Sequence, residues 1–335
     1  MLAALWLAAA PVWAGPDEAF ERLPRSKRAT GDSAAALAPI GITDARALAK
    51  NQWALSYRYA WIDSEGILDG SGHDSTSQVL GSFGETPRER DVQIHLIGVS
   101  YAPHGRVTLS AKLPVVSQRT RVVAAGPPLD GFTTSSSGVG DLEVRALVPF
   151  MRNRNQSLQI EMGVTAPTGS ISEHDEGAAG IRERLTLPQQ TGSGTVDLLP
   201  GFVYRGRFEA LSWGVVGRGT FRLYENRGDY RLGSEYLLST WLSRSWTDQV
   251  STSLRLSWNR RDSTHGRSAP STNPERDPKR LGGDFLDIGP GINFRLPFVG
   301  EPRLGVEVTW PFYQNLDGPQ LERDWQLTAG WQWVF

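Results

Sequence analysis

Residues Arg323–Phe335 read RDWQLTAGWQWVF, and their parity sets how the rest of the chain is read. Trp325, Leu327, Ala329, Trp331, Trp333 and Phe335 share one parity; Gln326, Thr328, Gly330 and Gln332 share the other. Successive side chains of a strand point to opposite faces, so this is a strand with one apolar face and one polar or small face. The apolar face becomes strongly aromatic toward Phe335, which is odd for a strand that covers a soluble core. On this stretch alone, the last strand of a soluble sandwich stays open as the alternative.

The same alternation recurs back along the chain. Gln52–Ile62 sets Trp53, Leu55, Tyr57, Tyr59 and Trp61 against Ala54, Ser56, Arg58 and Ala60. Arg106–Gln118, Asp141–Phe150, Gln156–Ala166, Thr195–Tyr204, Leu211–Leu223, Val250–Asn259, Leu286–Leu296 and Arg303–Tyr313 repeat it, and Leu232–Leu242 does so less cleanly. In Asp91–Tyr101 the apolar side reads as Val92, Ile94 and Leu96, opposite Gln93 and His95. With the closing stretch there are about twelve segments of about ten residues, an even count of the kind that single-chain bacterial barrels have.

Composition narrows the class. The 335 residues carry 35 Lys+Arg against 36 Asp+Glu, so nothing in the charge balance suggests a nucleic-acid partner. The absence of cysteine excludes a disulfide framework and thiolate metal sites. Met1–Ala14, MLAALWLAAAPVWA, has the length and small-residue end of a signal peptide. Residues 15–50 read as a periplasmic N-terminal segment or a small lumen insert, with one short helical stretch at Thr43–Lys50. Residues 51–335 form the β-domain. No later run approaches the roughly twenty apolar residues of a spanning helix, so a membrane protein of this sequence has to be a barrel.

Loop lengths discriminate further. The short connections Pro103–Gly105, Met151–Asn155, Arg205–Glu209, Thr247–Gln249 and Pro297–Pro302 alternate with the long ones Asp63–Arg88, Thr120–Gly138, Thr168–Gly192 and Asp262–Arg280. Glu225–Asp229 and Gln314–Glu322 are modest members of the long set. Short turns on one rim and long loops on the other are the signature of a transmembrane barrel, with both termini on the short-turn, periplasmic side. The parity opposite the apolar face holds Arg58, Lys112, Glu143, Arg145, Glu161, Asp197, Arg218, Arg222, Arg255, Asp287, Arg295 and Glu307. A Lys or Arg facing lipid at mid-bilayer costs about 2–4 kcal/mol, so these residues are expected to line the lumen. Trp53, Trp61, Tyr101, Tyr204, Trp258, Trp310, Trp331 and Trp333 fall near strand ends, where interfacial aromatic girdles belong.

Three glycine-rich stretches, beginning at Gly138, Gly192 and Gly282, follow long loops and open strands rather than helices, so they are not phosphate loops. Asp141, Asp197 and Asp287 sit on or near these openings, where paired interior charge is the expected role and a mouth-level cation or substrate contact the alternative. The five histidines form no HExxH or close pair, which argues against a metal site. A lipid hydrolase would need His95 with Ser100 or Ser110, and no GxSxG supports one.

SSSGVGDLEVRALVPF, the VTAPTGS run from Val164 to Ser170, and LPQQTGSGTVDLLPG resemble, in this order, an outer-membrane transporter family of the meta-pathway of phenol degradation. The resemblance runs from about Asn51 to Phe335. It implies an all-β, antiparallel up-and-down transmembrane barrel in the outer membrane of a Gram-negative bacterium. The closing strand also resembles that of bacterial outer-membrane barrels, where a terminal Phe such as Phe335 serves the barrel-assembly machinery. The expected function is passive passage of a small solute, aromatic or hydrophobic solutes included, without cofactor or nucleic acid. A non-conducting structural or sensing barrel, or a lipid hydrolase, is the alternative.

Overall fold

The computed structural model describes residues 38–126, 130–266, 272–300 and 302–335. The expected signal peptide and the first part of the segment after it lie outside the described residues. The larger strands are β1 (Trp53–Gly70), β2 (Glu85–His104), β3 (Val107–Ala124), β4 (Asp130–Val139), β5 (Leu142–Arg152), β6 (Gln156–Ala166), β7 (Gly201–Phe208), β8 (Leu211–Arg222), β9 (Glu235–Ser245), β10 (Val250–Arg261), β11 (Gly283–Arg295) and β12 (Arg303–Val334).

The strands pair antiparallel in the order β1–β2–β3–β5–β6–β7–β8–β9–β10–β11–β12, and β12 returns to β1 through the register Ala54↔Val334 to Asp63↔Trp325. The ring is therefore closed and leaves no sheet edge in its wall. Eleven elements close it, but the last does two jobs: Arg303–Leu316 pairs with β11, and Leu316–Val334 pairs with β1. Counting those halves as separate crossings gives twelve. β4 stands above β5 on the same flank of β3, taking the distal half of β3 while β5 takes the proximal half.

Burial is inverted relative to a soluble domain. On β6, Met162 is 58% exposed while its neighbour Glu161 is fully buried. On β12, Phe312 is 61% exposed and Glu307 is 1% exposed. Apolar side chains make the outer wall and charged ones the interior, which suits an apolar solvent outside the ring. Trp331, Trp333 and Phe335 face outward, and Thr328 is enclosed.

Three local expectations change. First, much of the expected long connections is strand: β1 runs on to Gly70, β2 starts at Glu85, and β3 and β4 make a hairpin across 120–138. A capped helix α1 (Thr76–Ser82) lies between β1 and β2, with Ser75 and Gln78 forming a capping box. Second, β2 has the opposite facing to that read from Val92, Ile94 and Leu96. Its pairing aligns Gln93, His95, Ile97 and Val99 with the outward Trp61, Tyr59, Tyr57 and Leu55. The alternation was ambiguous because His95 is outward yet polar, its Nδ1 lying 2.8 Å from the Tyr57 hydroxyl. Third, Thr43–Lys50 is not helical.

Candidate permeation site

Residues 38–50 cross the lumen. The backbone carbonyl of Ile40 accepts from Arg58 Nε on β1 at 2.8 Å, and that of Ala38 accepts from Arg303 on β12. Thr43 accepts from Arg218 on β8 through Oγ1 (3.0 Å) and O (2.7 Å). Asp44 pairs with Lys112 and accepts from Ser110, both on β3, while its carbonyl accepts from Gln159 Nε2 on β6. Leu48 N donates to Thr108 Oγ1. Within eleven residues the chain thus touches opposite arcs of the ring, and we call it the strap. Ala38 and Ile42 pack with Val203, Val216 and Trp241 as a small apolar cluster inside the barrel. Asp44 and Asn51 have left-handed φ of 50° and 61°, a region these residue types tolerate better than most, and Asn51 turns the strap into β1.

The interior charges form chains. Lys112 reaches Glu143 at 2.7 Å, Glu143 accepts from Arg145 Nε at 2.8 Å, Arg145 lies 3.7 Å from Glu161, and Arg218 Nε donates to Glu161 at 2.7 Å. With Asp44 at one end and Thr43 at the other, this alternating line over β3, β5, β6 and β8 begins and ends on the strap. On the far wall Arg255 binds Glu307 at 2.5 and 3.2 Å, directly beneath Gly41, where a side chain would collide with both. Paired, hydrogen-bonded charge is what a low-dielectric interior tolerates. The strap adds its own carbonyls to cations that the wall leaves incompletely matched.

Nearer the long-loop rim, Asp197 lies 3.6 Å from Arg222, which also reaches Glu235. Asp287 binds Arg323 and Asn259. Arg295 is half-buried at the short-turn rim, in register with Arg303 of β12. Sequence reading missed Asp44, Arg303, Arg323, Arg90 and Glu275. Arg303 shares the parity of Glu307 and was findable from it, whereas Asp44 and Glu275 lie in segments without a period.

Two loop stretches fold over the long-loop mouth. Glu275, 2% exposed, accepts from Arg90 at 2.6 Å and from Thr186 Oγ1 at 2.9 Å, joining 185–195 to 272–281 and to β2. Gln189 Nε2 donates to Thr134 Oγ1 at 2.8 Å. The stretches beginning at Gly138 and Gly192 converge here with the Val164–Ser170 run. Asp141 accepts from Gly169 N (2.9 Å), Ser193 N (2.8 Å) and Ser193 Oγ (2.6 Å), so its role is a clamp between loop ends rather than a cation partner. Gly169 and Gly192 meet backbone to backbone, a Cβ on either reaching the other at 2.5–2.6 Å. Only glycine permits that approach.

Among the described residues, no group of three or more His, Asp or Glu could hold a metal ion. His95 is outward while Ser110 is enclosed and bonded to Asp44, so the two do not meet as a catalytic pair.

A closed antiparallel ring, apolar outside and charged inside, defines an integral outer-membrane barrel of a Gram-negative bacterium. The chain belongs to the family described as “Putative MetA-pathway of phenol degradation”, which matches residues 67–298. Among solved structures, an outer membrane channel from Pseudomonas putida F1 is similar over 88% of this chain and 99% of its own, at 14% identity and a TM-score of 0.60. A FadL homologue from Pseudomonas aeruginosa (14% identity, 85% and 90% coverage, TM-score 0.42) and the Pseudomonas putida toluene transporter TodX (10%, 87% and 91%, 0.40) are more distant. No curated protein matches the chain.

Proposed function

We propose that the protein is an outer-membrane channel for passive passage of a small solute, held shut at rest by the strap. The observation that carries this reading is the strap's mode of attachment. Its crossing is fastened by hydrogen bonds and ion pairs to a charged interior, so the obstruction can yield without breaking the wall. A barrel with a structural task alone has no need of a removable crossing over a polar lumen. The P. putida F1 structure is described as an outer membrane channel, which supports the same reading. The family's description supports a small aromatic or hydrophobic cargo. In the proposed orientation the short-turn rim and the β1–β12 ends face the periplasm, and the clamped loops face outward.

Single-channel recording in planar bilayers tests this. Wild-type protein is expected to give rare, brief openings. A variant whose residues 38–50 are replaced by a Gly/Ser linker of equal length is expected to conduct steadily. Absence of conductance in both proteins would overturn the reading in favour of a non-conducting barrel.

A further inference from the structure

The outer wall turns polar on four neighbouring strands as they pass the girdle on the long-loop side. The register sets Trp61 of β1 against Gln93 of β2, Gln93 against Ser117 of β3, and Ser117 against Ser137 of β4. One outward step further from the short-turn rim, Asp63, Asp91, Arg119 and Ser135 stand abreast in the same way. At the girdle on β10 the outward Arg260 is held by Asp262 at 3.3 Å and Asp284 at 2.8 Å. Arg119 is exposed and forms no hydrogen bond or ion pair among the described residues.

These strands carry a cleft of about 410 Å³, lined chiefly by Trp61, Asp91, Gln93, Ser117, Arg119 and Ser135. Short serines among longer Trp and Arg side chains leave the depression. The Trp61 ring is fixed in it: its Nε1 donates to Asp91 Oδ1 at 3.3 Å, and it meets Trp325 edge-on with centroids 4.9 Å apart. Ser135 donates through N (2.6 Å) and Oγ (3.1 Å) to Asp175 of the loop after β6, which brings that carboxylate to the edge of the cleft.

We infer that this cleft binds the sugar headgroup of a glycolipid in the outer leaflet. The girdle is the level at which acyl chains give way to headgroups, so membrane lipid is what lies against this face. The side chains narrow its chemistry. Asp63, Asp91 and Asp175 outnumber Arg119, so net charge does not draw a bare anion here. Carboxylates, the Gln93 amide and the Ser117 hydroxyl are instead partners for the several hydroxyls of a sugar. The fixed Trp61 ring offers an apolar surface to the sugar's C–H groups, and Arg119 supplies a charge-assisted bond to an acidic substituent such as phosphate. The site goes beyond the channel reading and rests only on the orientation proposed with it, in which the long-loop rim faces outward.

Native mass spectrometry of the detergent-solubilised barrel tests it, with lipid A as the glycolipid probe and phosphatidylglycerol as an anionic lipid without a sugar. Wild-type protein is expected to retain a single lipid A and to release phosphatidylglycerol. R119A and D91A are each expected to weaken lipid A retention about tenfold, the scale of a hydrogen bond to a charged group. R121A, whose arginine lies 3.7 Å from Glu89 beyond the cleft, is expected to leave retention unchanged. Heat-modifiable mobility shows that each variant is folded. Equal retention of the two lipids, or tighter lipid A binding by D91A, means that charge alone acts and overturns the sugar site. Dimers in place of lipid adducts overturn it in favour of a second copy of the chain. The orientation is read separately. Because the chain has no cysteine, S172C in the exposed loop after β6 introduces a single thiol, which is expected to react with a membrane-impermeant maleimide on intact cells. Labelling only after lysis overturns the orientation, and the outer-leaflet ligand with it.

Discussion

Glu161 shows what the barrel asks of a single residue. It is fully buried, holds Arg218 with two bonds of 2.7 and 3.0 Å, and lies 3.7 Å from Arg145. Removing one partner of a buried pair leaves uncompensated charge, at a typical cost of about 3–5 kcal/mol, whereas a well-packed apolar replacement of both partners is often neutral. E161Q is therefore expected to lower the midpoint temperature of the folded-to-unfolded gel mobility shift markedly. E161L/R218L is expected to recover part of the loss, though not all, because Arg218 also holds Thr43. Equal midpoints for E161Q and wild type would mean that the pair contributes nothing net. On the outer face the expectation is reversed in sign: M162R places a cation where Met162 is 58% exposed to lipid, and should cost about 2–4 kcal/mol near mid-bilayer. Folding yield into vesicles over a urea series measures it.

At the scale of elements, the clamp of the long-loop mouth is the most constrained junction. Asp141 ends the β4–β5 break, Gly169 follows β6, and Ser193 precedes the short pairing at Asp197–Leu198. G169A or G192A forces two backbones apart, and overpacking of this sort costs about 1–3 kcal/mol. Limited proteolysis of the folded variants should then cut within 168–195 while the wall stays intact; wild-type resistance in both variants would show that the contact is not what holds the loop. The wall strands were legible in the sequence because lipid outside and charge inside impose a strict period of two, as in Arg58, Glu161 and Glu307. β2 misled because its outward row contains Gln93 and His95, polar residues paired beside Trp61 and Tyr59. The strap had no such period. Ile40, Thr43 and Asp44 are held by carbonyls and single side chains reaching to separate strands, and such long-range pairings leave no local trace. The convergence on Asp141 was half-visible: the three motifs were recognisable, but their meeting point needed the closed ring.

For the molecule as a whole, the strap decides whether a closed wall becomes an open path, and Asp44 makes that decision sensitive to acid. Burial pushes the Asp44 carboxyl toward its neutral form, but Lys112 and Arg218 outweigh burial and hold it below the ordinary value of 3.8. A carboxyl whose folded value is depressed adds to docking above its unfolded value, and that contribution disappears as pH falls through the folded one. Strap docking should therefore be flat from neutral pH down to about 5 and weaken only below the ordinary aspartate range. Wild-type openings recorded in planar bilayers are expected to lengthen in that acid window and nowhere above it. Glu143 shares Lys112 and lies on the same line of charge, so acid titration of the wall could mimic the effect. D44N separates the two. It removes the strap's charge while leaving Glu143 in place, and is expected to give long openings already at neutral pH, with little further change on acidification. A D44N channel as closed as wild type at neutral pH would mean that the carbonyl contacts of Ala38, Ile40 and Thr43 hold the strap without help from Asp44.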